Sequence, residues 1–280
     1  VDAGAEAGLR PGGGGGMNFL QEALTFIFTA ANWGGPAGLT ARILEHLQYT
    51  VIAVVFSALI AVPLGMLIGH TGRGTFLVVT GVNALRALPT LGVLLLGVLL
   101  WGLGLVPPTI ALMLLGIPPL LAGTYSGIAN VDRDVVDAAR SMGMTESRIL
   151  LRVETPNALP LILGGLRTAT LQVVATATVA AYASLGGLGR YLIDGIKVRE
   201  FYLALVGALM VTALALILDA LLAFAVWASV PGTGRLRGRS SIPQPFLGDE
   251  VALESRPQGG SRHDSRARHG AAGPSPTVEA

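Results

Sequence analysis

Five apolar runs alternate with short polar links along the chain, at about 43–69, 76–103, 109–129, 159–183 and 201–229. A helix needs roughly 20 apolar residues to cross a bilayer core, and each run meets or approaches that length. The pattern predicts an all-α polytopic membrane protein with about five transmembrane helices. Pro63 sits inside the first run and is expected to kink it. The second run holds Arg86 and Pro89, and a proline there frees a backbone carbonyl that neighbouring helices or a cavity must satisfy. Residues 106–108, Val-Pro-Pro, read as a tight uncharged turn, and Pro118 and Pro119 fall inside the third run. Residues 184–200 read as a loop.

The flanks differ from this pattern. Residues 1–16 end in five glycines just before Met17 and read as a flexible leader or a mis-assigned start. Within 17–38 the apolar segment 19–31 is too short to span and is expected to lie along the interface as an amphipathic helix. Residues 231–280 are rich in Pro, Gly, Ser and Arg and read as a disordered cytoplasmic tail. Its Arg235, Arg237 and Arg239 are placed to meet anionic headgroups.

Composition sharpens the picture. Apolar residues make up 52% of the chain, charged residues only 13%, and the mean hydropathy is +0.64, which argues against soluble domains. A net charge of +2 gives no general attraction to nucleic acid. Without cysteine there is no thiol nucleophile or cysteine metal site, and His46, His70, His263 and His269 lack ligand spacing. An intramembrane enzyme would need a paired Ser and His, or two Asp, inside the spans; Asp219 alone is of that kind. A secondary transporter would need inverted repeats, and none is visible.

Loop charges set orientation. Arg73, Arg133, Arg140, Arg148, Arg152, Arg235, Arg237 and Arg239 fall on one side, against Arg42, Arg190, Lys197 and Arg199 on the other. The excess predicts the N-terminus outside and the C-terminus inside.

Charge is concentrated in 132–156, DRDVVDAARSMGMTESRILLRVETP, between the third and fourth runs. Such a segment must sit in water and is where the protein can meet a soluble partner. On a helix, Val136, Ala139, Met142 and Gly143 share one face. Apolar character resumes at Ile149, Leu150 and Val153. Two short helices are expected, bent at Gly143, with Thr145 capping the second. The small pair Ala138–Ala139 gives a low surface over which another protein's groove fits. On pattern alone, an ordinary amphipathic loop helix between spans is the stronger reading of the segment.

The stretch resembles the EAA loop of ABC-transporter permeases, in which Glu-Ala-Ala, three residues, Gly, nine residues and Ile-x-Leu-Pro follow one another. Here Asp137-Ala138-Ala139, Gly143 and Val153-Glu154-Thr155-Pro156 keep that spacing, with Asp for Glu, Val for Ile and Thr for Leu. Further segments (124–132, 140–145, 156–160, 164–170 and 184–189) are similar to permeases of the osmoprotectant branch, which import glycine betaine, choline, carnitine or proline.

The resemblance implies a type I ABC importer permease in the cytoplasmic membrane of a prokaryote, working by alternating access. Asp137, Ala138, Ala139, Met142, Gly143, Met144, Thr145, Val153 and Pro156 would then form the contact with a cytoplasmic ATPase dimer. A second permease subunit, identical or related, and an extracytoplasmic substrate-binding protein would complete the machine. ATP and Mg would be bound by the ATPase, because this chain has no GxxxxGK[ST]. An importer for another small solute, such as an amino acid, is the alternative.

Candidate path residues come from the spans. Arg86 and Asp219 each lie about ten residues from the cytoplasmic end of a run, so both sit roughly 15 Å deep and are expected to pair. Asn83, Pro89, Thr176, Thr178 and Tyr182 are candidates for the path, and the resemblance implies that Ser184, Gly186 and Gly187 lie at its outer end, near the gate. Helix packing by small and hydroxyl residues explains the threonines as well.

Overall fold

The computed structural model describes residues 16–183 and 185–230. The expected tail, with Arg235, Arg237 and Arg239, and Ser184 lie outside the described residues, as does the leader apart from Gly16.

All regular structure among the described residues is helical: α1 (Gly16–Phe28), α2 (Leu39–Thr71), α3 (Thr75–Ala87), α4 (Thr90–Trp101), α5 (Val106–Ala129), α6 (Arg133–Ser141), α7 (Glu146–Ile149), α8 (Thr155–Thr176), α9 (Gly189–Lys197) and α10 (Phe201–Ser229). Helix α2, α5, the run from α7 through α8 and α10 are each long and apolar enough to cross a membrane. Counting α3 and α4 as one bent span gives five.

Small residues set the packing. Ala53, Ser57, Ala61, Gly65 and Gly69 recur every fourth position on α2 and are all buried. They form a flat face against α5, where Gly65 meets Thr124 and Gly69 meets Ile128. Ser57 Oγ donates to the Ala53 carbonyl at 2.8 Å and is 3.0 Å from the Met113 carbonyl across the interface. Helices α5 and α8 approach more closely still: a Cβ on Gly123 would lie 2.7 Å from the Gly165 Cα. In a bilayer, where lipid is as apolar as leucine, such backbone approach supplies the packing energy. Large apolar side chains such as Leu59, Leu99 and Leu216 point outward.

Four expectations need correction. The second run is not one helix: the axes of Thr80–Ala87 and Thr90–Trp101 meet at 77°. The residue before a proline is driven to extended backbone, and Leu88 adopts φ −70°, ψ 126° ahead of Pro89. Residues 106–108 are not a turn but the start of α5, because proline fits the first helical turn, where no N–H is needed. The loop 184–200 contains α9, a short amphipathic helix whose Ile193 is buried. The fourth run is not α-helical to its end, passing from α8 into a 3₁₀ segment, Ala177–Ala183. Helix α2, by contrast, continues through Pro63.

Helix α1 lies against α10: Ala23 and Val206 are buried together with Leu39, and Phe26 makes an edge contact with Tyr191 of α9.

Candidate functional site

The charged stretch folds as two short helices with a left-handed turn between them. Asp132 caps α6, its side chain accepting from the Asp134 N–H at 3.0 Å. The helix stops at Ser141, and Gly143 takes φ +81°. The Gly143 N–H then donates to the Arg140 carbonyl at 3.0 Å and the Met144 N–H to the Ala139 carbonyl at 3.3 Å. These two bonds make a Schellman stop, which favours glycine at this position. Thr145 begins α7 with extended backbone, its carbonyl accepting from Arg148 and Ile149, but its hydroxyl makes no capping bond.

One face is buried by Val136, Ala139 and Ile149, with Val131, Met144 and Val153 around them. Met142, expected on this face, is instead 76% exposed, because the chain has left the helix and Met144 swings back to fill the space. Asp137, Ala138, Gly143, Thr145 and Pro156 are exposed, and Val153 is half-buried. Val135, Ala138 and Met142 are also exposed and form an apolar strip beside the buried face of α6. Pro156 lies in the first turn of α8.

A chain of charge contacts braces the bend. Arg140 donates to Asp137 at 2.7 Å and, with two nitrogens, to Glu146 at 2.8 and 3.1 Å. The hydrogen bonds from Arg140 hold the Glu146 carboxyl below its usual range, and Glu146 raises the Arg140 guanidinium in turn. His70, at the end of α2, reaches the same cluster. Its Nε2 is 3.3 Å from Glu146 and its Nδ1 is 2.6 Å from Glu154. Glu154 is buried and closes a π-helical turn, Leu150–Glu154, whose Leu150 carbonyl accepts from the Thr155 hydroxyl at 2.7 Å. Such turns often mark functional positions inside helices.

At the far end of α2 a second set forms. Glu45 accepts from Arg42 at 2.9 Å and from the Gly187 N–H at 2.7 Å. Gly187 has φ +80°. His46 is buried with Nε2 3.0 Å from the Val174 carbonyl, beside the place where α8 gives way to the 3₁₀ segment. Tyr191 Oη donates to the Ala37 carbonyl at 2.8 Å and ties α9 to the turn before α2.

The intramembrane pair is a correction. Asp219 does not meet Arg86; it is held by Arg167 of α8, Nε to Oδ1 at 2.6 Å and Nη2 to Oδ2 at 2.8 Å. Arg86 is exposed in the last turn of α3. Depth alone fits Arg167 as well as Arg86, and the helices that pack together, α8 and α10, decide between them. Asn83 and Pro89 are exposed near the break in the second span. Thr176 and Thr178 are half-buried and Tyr182 is 57% exposed at the other end of α8. Among the described residues no hydrogen bond joins these two sets. Arg167, His70, Glu154 and Glu45 were missed by sequence reasoning, and the unused signal was a charged residue within or at the edge of an apolar run.

Four helices long and apolar enough to cross a membrane, one bent pair and two short polar helices between α5 and α8 fit the architecture of an ABC-importer permease. The fold is similar to a chain of the MetNI methionine ABC transporter in its inward-facing form, with a TM-score of 0.60 and 18% identity over 69% of this chain and 96% of that one. The chain belongs to the family described as binding-protein-dependent transport system inner membrane component, whose model matches residues 61–226. It is 37% identical over 204 residues to the glycine betaine/carnitine/choline transport system permease protein OpuCB of Bacillus subtilis, covering 73% of this chain and 92% of that one. To the choline transport system permease protein OpuBB of the same organism it is 35% identical, covering 65% and 83%. The chain is thus a transport subunit of the inner membrane, not an enzyme, and its family implies a binding protein and an ATPase as partners.

Proposed function

We propose that this permease moves a small osmoprotectant of the glycine betaine, choline, carnitine or proline type inward by alternating access. The observation that carries this reading is the similarity over most of the chain to permeases named for glycine betaine, carnitine and choline. In this reading the N-terminus lies outside and the C-terminus inside, so α6 and α7 face the cytoplasm. Two permease subunits, identical or related, enclose the path, and two ATPase subunits grip one bent helix pair each. The exposed strip Val135, Ala138 and Met142, with Gly143 at its end, is the surface offered to the ATPase groove. ATPase closure must bind the inward and outward states differently for transport to follow.

Arg167 and Asp219 have side chains 39% and 28% exposed within the subunit. Charged groups at this depth face protein or a water-filled cavity in preference to lipid. We therefore assign the α8–α10 face around them to the path or to the second permease subunit. Tyr182, Gly186 and Gly187 belong to the outer end of the same path.

The test is uptake of labelled glycine betaine, choline, carnitine and proline into proteoliposomes holding the permease, its ATPase and its binding protein. ATP-dependent uptake of at least one is expected. Uptake of a methionine-like amino acid with none of the four would overturn the substrate reading and leave the fold untouched.

A further inference from the structure

Helix α2 joins two distant polar clusters. It runs unbroken from Leu39 to Thr71. From Glu45 to His70 the helix rises about 38 Å at roughly 1.5 Å per residue, more than the hydrocarbon core of about 30 Å. At one end His70 lies between Glu146 and Glu154 of the coupling segment, residues 133–154, and the His70 and Glu154 side chains are only 13% and 5% exposed. At the other end Glu45 accepts the Gly187 N–H and His46 sits on the Val174 carbonyl. Between these ends the small-residue face of α2 is seated against α5 with little slack, since even a Cβ at Gly69 would lie 2.7 Å from Ile128.

Apolar helix faces resist separation but permit sliding, whereas hydrogen bonds fix direction as well as distance. Besides the mid-helix contact of Ser57 with the Met113 carbonyl, which ties α2 to α5, the polar contacts at the two ends link α2 to the 146–154 segment and to the 186–187 loop. We infer that α2 is the strut that carries displacement of the coupling segment to the 186–187 loop, with His70 and Glu45 as its two positioning residues. The inference rests on reading α6 and α7 as the ATPase contact. When that contact shifts, the load passes from Glu146 and Glu154 to His70, then along α2 to Glu45 and Gly187.

The experiment uses the whole complex in proteoliposomes, with uptake, ATP hydrolysis and thermal stability read for each variant. His70→Ala and Glu45→Ala are each expected to cut uptake at least about fivefold, the lower end of ordinary coupling, while the complex still assembles. The double variant His70→Ala/Glu45→Ala should lose no more than the worse single, because one strut is cut only once. The pair His70→Ala/Glu154→Gln removes the buried acid with its partner, and should recover stability without recovering uptake. Restored uptake in that pair would mean a purely structural latch, and multiplicative losses in the double variant would mean that the two ends act independently. Either result overturns the inference. Gly143→Phe separates the two levels. If it leaves uptake intact, the coupling reading itself fails. If it abolishes uptake while His70→Ala does not, the strut alone fails.

Discussion

Arg167 grips Asp219 through two parallel hydrogen bonds across the contact between α8 and α10. The fork of a guanidinium matches the two oxygens of a carboxylate, so the pair fixes orientation as well as distance. Removing either partner leaves a partly exposed charge with no counter-ion on the α8–α10 face. Asp219→Asn and Arg167→Gln are each expected to lower the melting temperature of the detergent-purified protein by several degrees. The exchange Arg167→Asp/Asp219→Arg should recover part of that loss. Arg86→Gln, at an exposed site in α3, should leave it nearly unchanged. A melting temperature that drops with Arg86→Gln but not with Arg167→Gln would sink the assignment.

The main outline was legible in the chain. Apolar run length located the spans, and α10 occupies the residues its run predicted. Run length says nothing about direction, so the 77° break at Leu88–Pro89 was not readable, although Pro89 marked the place. Helix α9 was hidden because the glycines before and within it, Gly186, Gly187, Gly189 and Gly195, read as loop. The bend at Gly143 was legible, since glycine in a polar link between two amphipathic halves has few other uses. Met142 was misplaced because helical spacing was extended one residue past the helix end. His70 and Glu154 could not be paired from sequence, lying 84 positions apart with nothing local to link them.

Gly143 carries a second prediction. Its φ of +81° costs a residue with a Cβ roughly 1–2 kcal/mol. No atom outside its chain neighbours lies within 4 Å of where that Cβ would sit, so the cost is in the backbone and in whatever docks there. Gly143→Asn, which tolerates the left-handed region, is expected to keep much of the uptake. Gly143→Val should insert normally yet lose both uptake and stimulation of ATP hydrolysis. Membrane levels by immunoblot and transport in proteoliposomes distinguish a coupling defect from a folding one.

The Arg140–Glu146 pair predicts an acid-sensitive bend. Glu146 lies in the water-facing segment, and the hydrogen bonds from Arg140 lower its pKa. A lowered carboxylate contributes its stabilisation above its unfolded pKa and loses it as pH falls through the folded value. Hydrogen exchange across 140–149 should therefore be slow at neutral pH and quicken, beyond the chemical trend, below the ordinary carboxylate range. Glu146→Gln should abolish that extra acid step. An identical pH profile in wild type and variant would rule the pair out as the cause.

The contact of α5 with α8 gives the clearest paired comparison. Gly123 and Gly165 face each other so closely that a methyl on Gly123 would press on the Gly165 Cα at 2.7 Å and the Leu161 carbonyl at 2.9 Å. Both obstacles are backbone, so neither can turn aside as a side chain would. Separating the helices to admit the methyl also strains the neighbouring contacts of Gly116 with Ser57 and of Gly127 with Ala158. Gly123→Ala is thus expected to destabilise by about 1–3 kcal/mol, the range for overpacking. Gly164 sits one residue from Gly165 on the same helix, but a Cβ there meets nothing within 4 Å. Gly164→Ala should stabilise the isolated subunit slightly, by up to about 1 kcal/mol, since it removes backbone freedom from the unfolded chain without adding a clash. Thermal melts of the two variants in the same detergent test the point, and equal losses would mean that the α5–α8 approach is looser than the structure has it.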